Sequence, residues 1–339
     1  MRGPLSLQTF LPDPDGSAPA DPDEYRLHLP PNCAAGDPRP LILAFHGAFS
    51  SPEEMAEESS LDALADREGL IVVYPRGSGF LGLLQHWNSG HCCGPANEGD
   101  VDDVAFTHRV MAAVDRRAPV DWSRVYIVGM SNGAMMVHRV ASEMSDVVAA
   151  AAAISGTVGG SPAEGEQVWR ITSPSRPVPM LLMHGDADQV VPWDGGIDPI
   201  GSKGRTFLSV AESVDFWRSA NGTFAEPRTD SLRRQRITRS QWQGAEPASE
   251  VVLYRVAEWP HAWPGGKYTR DLPSDDAMAG FEAVEEVWSF LSRHSHRPAH
   301  RDPGTMPDTL TPCGPVPVES FHSHDLLGVR TPPRTSQDG

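Results

Sequence analysis

A β-branched and aromatic run, Val125–Val128, leads straight into Gly129-Met130-Ser131-Asn132-Gly133, and then into Ala134–Val140, whose composition is helical. Few arrangements satisfy that order. A G-x-S-x-G held between a buried strand and a helix makes a sharp turn that lifts the serine hydroxyl above the strand ends. The serine backbone is strained in such a turn. Side chains two positions to either side would collide with the flanking elements, and glycine removes the collisions. The hydroxyl then stands at the positive end of a helix. Ser131 is therefore read as a nucleophile.

The rest of the chain repeats the same alternation. Tyr25–Leu29, Leu41–Phe45, Leu70–Tyr74, Val147–Ile154, Met180–Met183 and Val251–Val256 read as strands. Residues 52–68, opened by Ser51-Pro52-Glu53-Glu54, read as one helix. Further helices are read from Asp102 or Asp103 to about Ala118, over Phe207–Ala220 and over Phe281–Leu291. Residues 75–99 and 157–178 read as irregular, and 223–248, with five arginines, as a surface hairpin or excursion. Nearly continuous apolar strands alternating with helices predict an α/β fold with a parallel sheet covered on both faces. Ligands of such sheets sit at the carboxyl ends of the strands, where each motif of interest here falls. Residues 1–24 read as a loose N-terminal segment, 25–294 as one catalytic domain and 295–339 as a disordered tail.

The net charge of −17 argues against nucleic acid and anionic membrane surfaces as partners. No apolar run reaches the ~18 residues of a membrane span. The opening MRGPLSLQTFLPDPDG lacks the pattern of a signal peptide, so the chain as written reads as cytoplasmic. Of the four cysteines, Cys92 and Cys93 are adjacent, and neighbours rarely pair with each other. Free thiols are the expectation, with a bridge from Cys33 to one of them as the alternative. No C-x-x-C spacing exists, so no metal site is expected.

A serine needs a base to take its proton, and the base needs an acid to orient it. In MHGDADQVVPWDGG, Asp188 is preferred as the acid. Asp186 is read as bracing the turn, and Asp194 is a third carboxylate nearby. His261, in Glu258-Trp259-Pro260-His261, follows the last strand and is the expected base. His46 and His184 each precede a glycine and read as turn-stabilising. The tail histidines read as solvated. The oxyanion needs two backbone N–H donors: one from Asn132, the other from the loop after Leu41–Phe45, at Ala48 or Phe49, with Ala48 chosen. Trp87, Trp259 and Trp263, with Trp193 beside them, read as substrate-binding walls of an apolar cleft. Trp217 and Trp288 read as core.

The motifs LILAFHG, LIVVYPRG, WNSGHCCG, VDDVAF, VDWSRVYIVGMSNGAMM, HGDADQVVPWDGG, SVAESVDFW and HAWPGG together resemble the poly(3-hydroxybutyrate) depolymerase and feruloyl esterase group of α/β-hydrolases, including the LpqC-like esterases. The resemblance spans Tyr25–Ser292. It implies an α/β-hydrolase fold, a mostly parallel central sheet with helices on both faces. It also implies a carboxylic ester hydrolase working through an acyl-enzyme, with Ser131, Asp188 and His261 as the triad and neither metal nor organic cofactor. Relatives are commonly secreted, which would make the chain extracellular. Where the group often has Gly-x-Gly before the histidine, this chain has Glu258-Trp259-Pro260. An acyltransferase, and a catalytically silent protein that binds a polymer or glycan, are the competing readings. The ester stays open among polyhydroxyalkanoate, feruloyl or acetyl esters of plant polysaccharide, and small soluble esters. Oligomeric state is left open as well.

Overall fold

The structure, a computed structural model, describes residues 24–31, 37–80, 83–199, 204–246 and 249–296. The N-terminal segment up to residue 23, the tail from 297, Cys33 and Cys313 lie outside them. Among the described residues one nine-stranded sheet runs through the molecule. Its strands, in chain order, are β1 (Tyr25–His28), β2 (Arg39–Phe45), β3 (Ile71–Pro75), β4 (Val120–Met130), β5 (Ala150–Ile154), β6 (Met180–Gly185), β7 (Arg228–Leu232), β8 (Ile237–Trp242) and β9 (Val251–Val256). The spatial order is β1-β3-β2-β4-β5-β6-β9-β8-β7. The six central strands are parallel, while β1 and the β7–β8 hairpin join antiparallel at the two edges.

Period-two packing explains why the central strands are apolar throughout. Leu41, Leu43 and Phe45 of β2 enter one core, and Ile42 and Ala44 enter the other. The first core is closed by the helices Asp103–Asp115, Asn132–Glu143 and Val210–Asn221, through side chains such as Phe106, Val137 and Trp217. The second is closed by Pro52–Ser59, Leu61–Glu68 and Ala283–Leu291, through Met55, Leu64 and Phe290. On β5, Ala151 and Ala153 face the first core, and their small size lets the helix after Ser131 lie close to the sheet.

Three readings are revised and a fourth is extended. The helix expected over 52–68 is two helices, broken at Ser60, whose φ of 57° is left-handed. The stretch 223–248, read as a surface hairpin or excursion, is a hairpin whose two strands join the main sheet beside β9. Residues 75–99 include a short hairpin, Ser78–Phe80 with Leu83–His86, and the helix Gly94–Glu98. Cys92 and Cys93, expected as free thiols, are bonded to each other across a cis peptide bond. The region 157–178 is mostly loop, as expected, with one two-stranded ladder pairing Gly159–Gly160 with Trp169–Arg170.

Candidate active site

β4 delivers Ser131 to the carboxyl edge of the sheet, and the helix Asn132–Glu143 begins at the next residue. Ser131 has φ 58° and ψ −126°, a conformation costly for any residue with a Cβ, and its amide donates to Ile154 O at 2.9 Å. The flanking glycines are required by close approach. A Cβ on Gly129 would lie 2.5 Å from Gly133 O, and one on Gly133 would lie 2.2 Å from Phe45 O. Backbone cannot retreat as a flexible side chain can. Gly133→Ala is therefore expected to cost about 3 kcal/mol or more, read as a lost or strongly lowered thermal transition. An unchanged transition would contradict the packing described.

Asp188 lies in the loop after β6, and His261 in the loop after β9. His261 Nδ1 and Asp188 Oδ2 are 2.7 Å apart, and Asp188 is buried. The other carboxylate oxygen accepts from the amides of Val190, at 2.8 Å, and Val191, at 2.9 Å. His184 Nε2 lies 3.4 Å from Asp188 Oδ2 and 2.8 Å from Val191 O, so it supports the same turn. Burial opposes ionisation of Asp188. Hydrogen bonds with His184 and His261, together with their charge, outweigh it and hold the carboxyl well below the usual carboxylate range.

The two loops are stitched together. Asp186 accepts from the Glu258 amide at 2.6 Å and pairs with Arg255, while the Ala187 amide donates to Trp259 O at 3.2 Å. A Cβ on Gly185 would lie 2.1 Å from that same carbonyl, which gives the glycine its purpose. Asp186 thus braces the turn, and Asp194 is exposed. Among the described residues no hydrogen bond joins Ser131 to His261. The structure forms the Asp188–His261 link, and among the described residues Ser131 Oγ is unpaired at the end of β4, with β5 between it and β6.

The loop after β2 lies against the serine: a Cβ on Gly47 would sit 3.4 Å from Ser131 Cβ. The Phe49 amide donates to Gln85 O at 2.8 Å and the Ser50 amide to Gly47 O at 3.3 Å. Among the described residues the amides of Ala48 and Asn132 donate to nothing. Asn132 is the first residue of its helix, where no intrahelical acceptor exists. The Phe49 amide, the other donor weighed, is already engaged.

The three tryptophans expected to wall a cleft do not do so. Trp87 is 0% exposed, Trp259 2% and Trp263 1%. Trp259 and Trp263 pack into the second core, and the Trp259 indole donates to Ala262 O at 2.9 Å. A tryptophan two residues from a site can turn inward as readily as outward, and here the apolar interior under the loop takes it. Trp193 is half-buried, between His184 and the Arg255 guanidinium. The exposed apolar side chains beside the site are instead Phe49, 66% exposed, and Leu84, 56% exposed. Both have positive φ, 63° and 53°, and the Phe49 ring meets His86 edge-on at 4.5 Å. A bulky residue at positive φ has no local sequence signature, so neither could be singled out from the chain alone. A separate groove of about 560 Å³, lined by Arg170, Leu208, Glu212 and Phe216 among others, touches none of the residues read as catalytic.

Three buried histidines add an electrostatic property. Burial pushes His46 down to about 4, and His91 and His138 down to about 3, so all are neutral near pH 7. Folding therefore excludes protons that the unfolded chain binds once pH falls below 6.5. His46 alone represents roughly 3 kcal/mol when fully protonated in the unfolded state. The thermal midpoint is expected to fall steadily as pH is lowered from about 6.5 to 4. A midpoint flat over that window would contradict the burial of these rings.

The sheet order, the elbow and the loop placement define the chain as an α/β-hydrolase. The family model described as Esterase PHB depolymerase matches residues 23–197, just over half of the chain. Among curated proteins the chain is 31% identical to NocK of Nocardia uniformis subsp. tsuyamanensis, named as an esterase, over 72% of this chain and 71% of that one. It is 30% identical to feruloyl esterase B of Piromyces equi over 57% of this chain, but it spans only 34% of that protein. It is 27% identical to the bifunctional acetylxylan esterase/xylanase XynS20E of Neocallimastix patriciarum, spanning 22% of it. Among solved structures, an acetyl xylan esterase from Aspergillus awamori aligns over 79% of this chain and 93% of that one, at 16% identity and a TM-score of 0.49, too loose a likeness to carry weight. The chain belongs to the Esterase PHB depolymerase family and is a carboxylic ester hydrolase.

Proposed function

We propose that the chain hydrolyses esters through an acyl-enzyme on Ser131, with His261 as the base and Asp188 as its orienting acid. Ser131 Oγ attacks the ester carbonyl and gives its proton to His261 Nε2, the ring nitrogen turned away from Asp188. The amides of Ala48 and Asn132 donate to the tetrahedral oxyanion. His261 returns the proton to the departing alcohol. Water then repeats the sequence and releases the acid. Asp188 stays ionised throughout. The observation that carries this reading is the 2.7 Å Asp188–His261 pair, on loops after two parallel strands of the sheet whose strand β4 ends at the strained Ser131 turn.

The proposed substrates are esters with an apolar or aromatic portion, of the hydroxyalkanoate or feruloyl kind. Support comes from the exposed Phe49 and Leu84 beside the oxyanion loop, and from the names of the family and of the Piromyces relative. The test is a screen of purified protein against polyhydroxybutyrate, methyl ferulate, acetylated xylan and a chain-length series of simple esters. Turnover of the first two should exceed that of acetylated xylan. Activity confined to acetylated xylan would overturn the substrate class while leaving the ester chemistry intact.

A further inference from the structure

We propose that Trp87 is a positioning residue that fixes the spacing between the two oxyanion donors, rather than a wall of the substrate cleft. The inference rests on the assignment of those donors to Ala48 and Asn132. The two amides belong to segments far apart in the chain, one after β2 and one after β4. Trp87 is hydrogen-bonded to both. Its backbone is gripped by the Asn132 side chain, whose Oδ1 accepts from Trp87 N at 2.7 Å and whose Nδ2 donates to Trp87 O at 3.0 Å. Its indole Nε1–H donates to His46 O at 2.9 Å, two residues before Ala48.

The ring is fixed as well. It is 0% exposed and packs edge-on to Phe45 at 5.2 Å and against His46 at 4.9 Å. His46 in turn holds the loop, with Nδ1 donating to Gly47 O at 2.8 Å and Nε2 accepting from Gly77 N at 3.1 Å. Asn132 thus has two separable parts. Its amide faces the reacting oxygen, and its side chain ties that amide, through Trp87, to the opposite donor. Donors aimed at a developing oxyanion act through placement fixed before reaction. Loosening this bridge should therefore weaken transition-state binding more than substrate binding.

The test compares wild type, Trp87→Phe, Asn132→Ala and the double variant. Each is assayed for kcat and KM on p-nitrophenyl butyrate and for inhibition by a trifluoromethyl ketone, which adds to the serine as a tetrahedral oxyanion. Each single change should lower kcat about tenfold or more and weaken the inhibitor in proportion, with KM within about twofold. The double variant should lose little more than the worse single one, because both act through one bridge. Unchanged kcat and inhibitor affinity in folded Trp87→Phe would overturn the proposal, and so would additive losses in the double variant. If Trp87→Phe fails to fold, the Asn132→Ala split between kcat and KM decides alone. Stoichiometric labelling of wild-type Ser131 by a fluorophosphonate separates failure of this inference from failure of the serine assignment.

Discussion

Ser131→Ala should lower kcat for p-nitrophenyl esters by about five to six orders of magnitude while leaving the fold intact. The size follows from the chemistry. Without Oγ no acyl-enzyme forms, and only the oxyanion donors and substrate binding remain to help water attack directly. The small structural effect follows from the site. Ser131 is held by its backbone, through the amide bond to Ile154 O and the helix beginning at Asn132, and among the described residues its hydroxyl bonds to nothing. Alanine keeps the Cβ, so the strain of φ 58° is neither relieved nor increased. Thermal unfolding should show a midpoint close to wild type. Retention of more than a hundredth of the wild-type turnover would contradict the assignment.

Asp188→Asn should lower kcat by about four orders of magnitude, by a different route. The amide oxygen would keep the Val190 and Val191 bonds, because only an acceptor suits two N–H donors. The NH2 group would then face His261 Nδ1. That turns the ring to the tautomer protonated on Nε2, which cannot take the proton of Ser131. Stability should fall too, by roughly 1–3 kcal/mol. The native carboxyl is held below its usual range, so its contribution is present above the unfolded value of about 3.9 and is lost as pH falls through the lower native value. The stability gap between variant and wild type should therefore be largest near neutral pH and close below about pH 4. A gap independent of pH would contradict the ionised, paired state of Asp188.

What could be read in the chain, and what could not, divides along physical lines. The Ser131 turn was legible because its causes are local: two glycines demanded by backbone contact, a β-branched strand before them and a helix after. That Asp188 and His261 meet was legible from chain order, since each follows an apolar strand of the parallel sheet. The tryptophans were not. Whether an indole a few residues past a strand faces solvent or core depends on neighbours brought by distant segments, as the second core is for Trp259. The β7–β8 hairpin is read as a surface hairpin or excursion, but its place in the main sheet was hidden for another reason. Only Ile237 and Trp242 are buried in it, and its arginines, such as Arg239 paired with Asp230 at 2.6 Å, present a solvated surface with little alternation. The break at Ser60 and the positive φ of Phe49 depend on tertiary packing and leave no compositional trace. The Cys92–Cys93 bond was judged against the usual behaviour of adjacent cysteines and stands as an exception to it.

The claim on which the rest depends is that Ser131 is the residue that becomes acylated. Treating the active protein with a fluorophosphonate and mapping the adduct by peptide mass spectrometry tests it directly. One equivalent should bind, on Ser131, with ester hydrolysis lost in step. Full esterase activity in protein that takes up no label, or a stoichiometric adduct on another residue, would contradict it.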